Sequence, residues 1–189
     1  KVYNHHAVDA DVCIIEGMMG MFDGYDRSKG SSAEIAKVLH LPVVLVVNAK
    51  SAAYSLVAMI KGYMDFDPQE EVAGVIFNQV GGDRHEEMLR AICEDLNILC
   101  FGCLRTYDVL QEESRHLGLD FSRKGKGSIT KTMMKELEHQ LDIELLLEMT
   151  RRSVNIPDKP ERRKRPLANM NIWIARNKES FSFIYAEHL

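Results

Sequence analysis

Short, continuous apolar runs alternate along this chain with longer stretches in which apolar residues recur every three or four positions. Residues 12–16 (VCIIE), 42–48 (PVVLVVN), 72–78 (VAGVIFN) and 98–104 (ILCFGCL) are of the first kind and read as buried strands. The unbroken Val/Leu content of 42–48 fits a parallel strand covered on both faces. Residues 31–40 (SSAEIAKVLH) read as a helix with Ser31 as N-cap and Glu34 three positions on, a capping box. Residues 51–64 and 83–96 read as further helices, and 130–150 as one long helix with its apolar residues on one stripe.

This rhythm predicts an α/β fold with a doubly wound, mostly parallel sheet. Ligands of such sheets bind at the carboxyl ends of the strands. Three predicted strands finish there on a polar residue: Glu16, Asn48 and Asn78. Polar residues end many strands for no chemical reason. Three of them, one running into a Gly-rich turn, point to a shared site.

That turn, E-G-M-M-G-M-F-D-G (16–24), carries two acids, Glu16 and Asp23, among Gly17, Gly20 and Gly24. Mg2+ is bound through one or two carboxylates together with phosphate oxygens and water. An acid beside bare glycine backbone can hold that ion while an anionic ligand comes close. Asp23 could add a second metal or substrate contact, or shape the turn as Asp-Gly pairs do. Asn78 precedes Q-V-G-G; its amide matches a purine edge, and equally could cap a turn.

Composition narrows the classes. At 189 residues and 46% apolar, the chain can build one globular domain with a core and a short appendage. No apolar run approaches the roughly 18–20 residues that span a bilayer. Residues 1–150 hold 15 Lys+Arg against 24 Asp+Glu, a net of −9, which repels nucleic acid. Residues 151–166 (RRSVNIPDKPERRKRP) hold seven bases and two acids and read as a solvated linker. Four irregularly spaced cysteines suit reduced thiols in the cytoplasm. Cys100 and Cys103 have the spacing of a redox or metal half-site, or of ordinary strand-end packing. No G-x-x-x-x-G-K-[ST] or G-x-S-x-G occurs; Gly125-Lys126-Gly127-Ser128 reads as a polar loop, and 114–121 as a surface or substrate-facing loop.

Taken together, E-G-M-M-G-M-F-D-G (16–24), G-S-S-A-E-I-A-K-V-L (30–39), P-V-V-L-V-V-N-A (42–49), A-G-V-I-F-N-Q-V-G (73–81), R-H-x-E-M-L (84–89) and R-H-L-G-L (115–119) resemble the synthetase domain of the cobyrinic acid a,c-diamide synthases. The tail, with I-A-R-N-x-E-S-F-S-F-x-Y, resembles the start of the glutaminase domain of that family. The resemblance implies a dethiobiotin-synthetase-like P-loop NTPase fold lacking its N-terminal phosphate-loop unit. It implies a partial amidoligase domain over 1–150, a basic linker over 151–169 and the opening of a glutaminase domain over 170–189.

The implied reaction is ATP- and Mg2+-dependent amidation of two acetate carboxylates of a corrinoid, through acyl phosphates, with ammonia from glutamine. Glu16 would be the metal-site acid and Asp23 the second catalytic acid. Asn78 would read adenine, and Gly17, Gly20, Gly24 and Ser32 would line the substrate. The family usually reads G-x-L-P-R where this chain has G-C-L-R-T, so Arg105 replaces a proline and Thr106 an arginine. The implied partners are small molecules, with no nucleic acid and no membrane; a homodimer through exposed helices stays open. The chain alone is expected to be inactive. Two other readings remain: an amidoligase for another tetrapyrrole such as nickel sirohydrochlorin, and a ParA-like nucleotide switch.

Overall fold

The computed structural model describes residues 10–107, 114–115, 118–119 and 131–151. The elements in chain order are α1 (Ser32–Leu39), β1 (Val43–Asn48), α2 (Leu56–Phe66), β2 (Val72–Val80), α3 (Asp83–Leu96), β3 (Leu99–Arg105), the two-residue strands β4 (Ser114–Arg115) and β5 (Gly118–Leu119), α4 (Lys131–Gln140) and α5 (Ile143–Thr150). β1, β2 and β3 form a parallel sheet in that order, with α2 and α3 as the crossovers; β4 and β5 pair antiparallel. This is the expected α/β architecture, a parallel sheet with flanking helices. The expected linker beyond residue 151, the expected strand over 170–189 and the polar loop at 125–128 lie outside the described residues.

The core follows from the strand and helix periods. Leu45, Val47 and Ala49 alternate onto one face of the sheet, where Val75 and Phe77 of β2 join them. Leu56 and Ile60, one turn apart on α2, and Leu89, Ile92 and Cys93 on α3 close that face. Gly74 leaves room for Phe101: a Cβ there would lie 2.5 Å from both the Phe101 ring and Leu99 O.

The helix ends obey local rules. Ser31 caps α1 by accepting from Glu34 N–H at 3.2 Å, and the Glu34 carboxylate reaches back to Gly30 N–H, one residue before the usual capping-box partner. His40 and Asn97 end α1 and α3 in the left-handed region, at φ 53° and 52°. Leu41 N–H and Ile98 N–H then fold back onto Ala36 O and Cys93 O.

Three expectations fail. Residues 12–16 form no strand: Val12, Ile14 and Ile15 are exposed, and neither edge of the sheet takes up their backbone among the described residues. An apolar run becomes a strand only where a ladder accepts it. β1 is covered on one face, with Val46 67% exposed on the other. The long helix of 130–150 is two helices, because Leu141 bridges Gly102 on β3 and Asp142 N–H donates to Phe101 O at 2.8 Å. Asp142 then caps α5, its Oδ1 accepting from Leu145 N–H at 2.9 Å. Gly102, at φ 153°, permits this: a Cβ would sit 2.2 Å from Gln140 O.

Candidate functional site

β1 ends at Asn48, in register with Asn78 two residues before the end of β2, and Ala49 N–H donates to Asn78 O at 2.8 Å. The two side chains act alike. Asn48 Oδ1 accepts from Lys50 N–H and Asn78 Oδ1 from Gln79 N–H, both at 2.9 Å. Gln79 stands at φ 62°, where the β2 register slips before Val80 meets Arg105. Each asparagine thus spends one oxygen lone pair on the backbone just after it. Its NH2 group and second lone pair are left for a ligand.

His85 joins the two edge loops. Its Nδ1 accepts from Gly81 N–H at 3.1 Å, and its Nε2 lies 2.5 Å from Ala52 O. An accepting Nδ1 and a donating Nε2 describe the neutral Nε2–H tautomer. The histidine belongs to the R-H-x-E-M-L motif, but its contact with Ala52, 33 residues away, could not be read from the sequence.

The Gly-rich segment is built around near-contacts. A Cβ on Gly17 would lie 2.6 Å from Ser32 Oγ; one on Gly20, 2.3 Å from Asp23 Oδ2; one on Gly24, 2.0 Å from Lys29 O. Asp23 N–H donates to Gly20 O at 2.9 Å, so the Asp23 carboxylate folds back over Gly20. Gly24 N–H donates to Arg27 O at 2.7 Å and Tyr25 N–H to Lys29 O at 2.9 Å, closing a tight turn. Ala33 N–H donates to Met21 O at 3.0 Å, which fastens the segment to the first turn of α1. Gly17 with Ser32, and Gly20 with Asp23, are therefore brought together.

Phe22 anchors the segment elsewhere. Its ring stacks on Tyr63, with centroids 5.9 Å apart, and tilts against Phe66 at 4.6 Å. Phe66 is the last residue of α2, the end from which the chain returns to start β2. Asn48 and Asn78 stand at the opposite ends of their strands. Glu16, in an exposed coil, is not a strand end, so the idea of three strand ends converging on one site reduces to two. The Gly-rich segment is a second centre, anchored through Phe22.

Asp23 there lines an open cavity of about 510 Å³ with Phe22, Gly24, Arg27, Ser28 and Phe66. A carboxylate and a guanidinium share its wall. Arg27 went unnoticed in the sequence; only its place in the turn after D-G-Y-D could have flagged it. Glu16 and Asp23 supply hard, exposed oxygen donors of the kind Mg2+ takes. Among the described residues no three His, Cys, Asp or Glu side chains are arranged as a metal cage. An ion that completes its shell with phosphate and water fits that pattern.

Arg105 explains a departure noted above. Its N–H donates to Gln140 Oε1 at 2.7 Å, a bond proline could not make. Its guanidinium reaches Asp83 at 2.7 Å and Glu86 at 3.0 Å, at the start of α3. Farther off, Lys37 Nζ binds Asp67 at 2.6 Å; this hydrogen bond holds the Asp67 carboxyl below the usual range and the Lys37 ammonium above it. Glu70, its side chain 1% exposed, lies 3.8 Å from the same ammonium; burial outweighs that attraction and raises its carboxyl.

Among the described residues no helix is long and apolar enough to cross a membrane. Residues 1–114 match the AAA domain family. The chain is 40% identical over 194 residues to the cobyrinate a,c-diamide synthase of Caldanaerobacter subterraneus subsp. tengcongensis, covering all of this chain and 42% of that protein. It is 36% identical over 200 residues to the cobyrinate a,c-diamide synthase of Dehalococcoides mccartyi, again with all of this chain and 42% of the relative. It is 37% identical over 187 residues to the hydrogenobyrinate a,c-diamide synthase of Brucella anthropi, with 94% of this chain and 41% of the relative. The chain thus spans roughly two fifths of the length of these relatives (42%, 42% and 41%). No solved structure matches it. The resemblance read from the motifs is borne out, and the match over residues 1–114 places the chain in the AAA domain family, with the cobyrinate and hydrogenobyrinate a,c-diamide synthases as its relatives.

Proposed function

We propose that this chain is part of a larger ATP- and Mg2+-dependent amidoligase that converts the a and c acetate carboxylates of cobyrinic acid to amides, with ammonia drawn from glutamine. The observation that carries this reading is the similarity to cobyrinate a,c-diamide synthases along the whole chain. In the reaction an acetate oxygen attacks the γ-phosphorus of ATP and ADP leaves. Ammonia then adds to the acyl carbonyl, and phosphate leaves with the oxygen.

The residues have distinct tasks. Asn78 reads the adenine edge with its NH2 group and its remaining lone pair. Gly17, Gly20 and Gly24 let backbone approach the substrate, and Ser32 offers its hydroxyl beside Gly17. Glu16 and Asp23 would hold Mg2+, whose charge neutralises the transferring phosphoryl group. Arg27, on the wall it shares with Asp23, meets an anionic arm of the substrate. Because Asp23 and Asn78 are set apart, the reading requires substrate and nucleotide to bridge the two centres, or the segment to move when they bind. The segment 170–189 belongs to a glutaminase domain, and the 189-residue chain by itself forms no amide.

The test uses the full-length protein with ATP, Mg2+ and glutamine, against cobyrinic and hydrogenobyrinic acids in parallel. Two successive mass losses of about one unit each, the exchange of OH for NH2, support the reading. The preferred acid separates a cobalt-containing from a cobalt-free substrate, a choice the hydrogenobyrinate relative keeps open. Intact corrinoid despite ATP turnover would overturn it.

A further inference from the structure

Three of the four cysteines gather on β3 and on the helix that leads into it. Cys93 lies on α3, and Cys100 and Cys103 on β3. Residues three apart on a regular strand face opposite ways. Here the β2–β3 register slips between Val75 and Ile76, opposite Cys100 and Gly102, so Cys103 returns to the side of Cys100. Arg90 closes the group: its Nε and Nη2 hold Glu86 at 2.9 and 2.8 Å, while Nη1 lies 3.7 Å from Cys100 Sγ.

Cys93, Cys100 and Arg90 line a second open cavity of about 510 Å³, with Met64, Glu94 and Asn97 on the same wall. That is room for a molecule of small-peptide size. The three sulfurs are not arranged to chelate a metal. Thiol chemistry remains.

We propose that Cys100 is a modification site that reacts with small organic disulfides of the glutathione class, with Cys93 as the resolving thiol. Cys100 thiolate attacks one sulfur of the disulfide; a new S–S bond forms and one thiolate leaves. Cys93, deprotonated as it attacks, then displaces the second thiol from Cys100 and leaves a Cys93–Cys100 disulfide. Two protein thiols are oxidised and one organic disulfide is reduced to two thiols, with the protons passing to the released thiolates.

The acidities of the group support this order. The Cys103 and Cys93 thiols, placed to donate to Cys100 Sγ, favour its thiolate, as does Arg90, against the opposing effect of burial. The same donation to Cys100, with burial, holds the Cys93 thiol up. Once Cys100 is capped as a mixed disulfide, that donation has no thiolate to serve and Cys93 is freed to attack.

The test treats the 189-residue chain and the full-length protein with oxidised glutathione under native conditions, quenches with iodoacetamide and maps peptides by mass. Cys13, which is exposed, provides the internal reference. The expected result is reaction at Cys100 about tenfold faster than at Cys13, followed by a Cys93–Cys100 cross-link. Cys93→Ser should arrest the reaction at the glutathione adduct on Cys100, and Arg90→Met should slow its formation several-fold. Modification of Cys13 alone, or of Cys100 no faster than Cys13 in the unsubstituted folded protein, overturns the proposal. That comparison needs no variant, so a misfolded Cys93→Ser protein does not blunt it.

Discussion

Asn48 and Asn78 face each other on the last rung shared by β1 and β2, and each turns its side-chain oxygen onto a backbone N–H just after it. The pair is therefore both a cap and an offer: one lone pair of each fixes the backbone that follows, and the NH2 is free for a ligand. If Asn78 reads adenine, Asn78→Ala should raise the KM for ATP about five- to tenfold, the effect of roughly 1 kcal/mol, with kcat little changed. Steady-state kinetics of the full-length enzyme decide this; a fall in kcat at constant KM would move Asn78 out of that role.

Asp23 should matter to the reaction and not to the fold. Its carboxylate is exposed over Gly20, so Asp23→Asn leaves packing untouched. The expected loss is about 10²–10³ in kcat, typical of removing a group that stabilises developing charge, with no change in melting temperature. Glu16→Gln should raise the Mg2+ concentration needed for half-maximal rate. Activity measured across a Mg2+ titration, alongside thermal melting, tests both.

Gly20 and Gly24 should fail in different ways. A methyl at Gly20 meets the end of a side chain that can swing away, so Gly20→Ala should cost activity while the fold holds. A methyl at Gly24 meets the Lys29 and Arg27 carbonyls, which are backbone and cannot yield. Gly24→Ala should cost about 1–3 kcal/mol in the urea unfolding of the chain. Equal stability losses for the two would contradict this geometry.

The Glu70 carboxyl is raised by burial, so its contribution to stability is fully present below the unfolded value of 4.5 and is lost as pH rises through the folded value. Asp67 is lowered by Lys37, so its contribution is present above 3.8 and lost as pH falls through its folded value. Glu70→Gln removes the first dependence and leaves the second. The urea midpoint of the Gln variant should therefore gain on that of the parent between pH 4 and pH 8. A constant difference across that range would show that Glu70 carries no such burden.

Gly102→Ala should separate β3 from the α4–α5 corner. The new methyl would lie 2.2 Å from Gln140 O, on a residue at φ 153°. Strain and overpacking together predict a loss of about 2–4 kcal/mol. Hydrogen exchange at Asp142 N–H, which donates to Phe101 O, should quicken most.

What was legible in the sequence were features whose cause is local. The bounds of α3 read as 83–96 because its apolar spacing, acidic first turn and terminal Asn97 all lie within it. β1, β2 and β3 read within two residues at either end for the same reason, whereas the strand expected at 12–16 does not form and the short β4 and β5 fall in a stretch read as a loop. α2 starts at Leu56 and not at 51 because Ser51 takes φ 58°, which no helix continues. The break at 141–142 could not be read, since it depends on a glycine about forty residues upstream. Glu16, Asp23 and Asn78 were visible as acids and amides beside glycines. Their division between two centres was not, because the Phe22 contacts that set it join residues more than forty positions apart.

Arg105 has a consequence for how this chain can change. Where the resembled family carries proline, this chain has a residue whose backbone serves Gln140 and whose side chain serves Asp83 and Glu86. Proline here would take this N–H donor from the Gln140 oxygen, the ion pair from the exposed Asp83, and one of two arginines from Glu86, which keeps Arg90. Grafting the family's proline onto this position alone should therefore loosen the junction of β3 with α4 and with the start of α3.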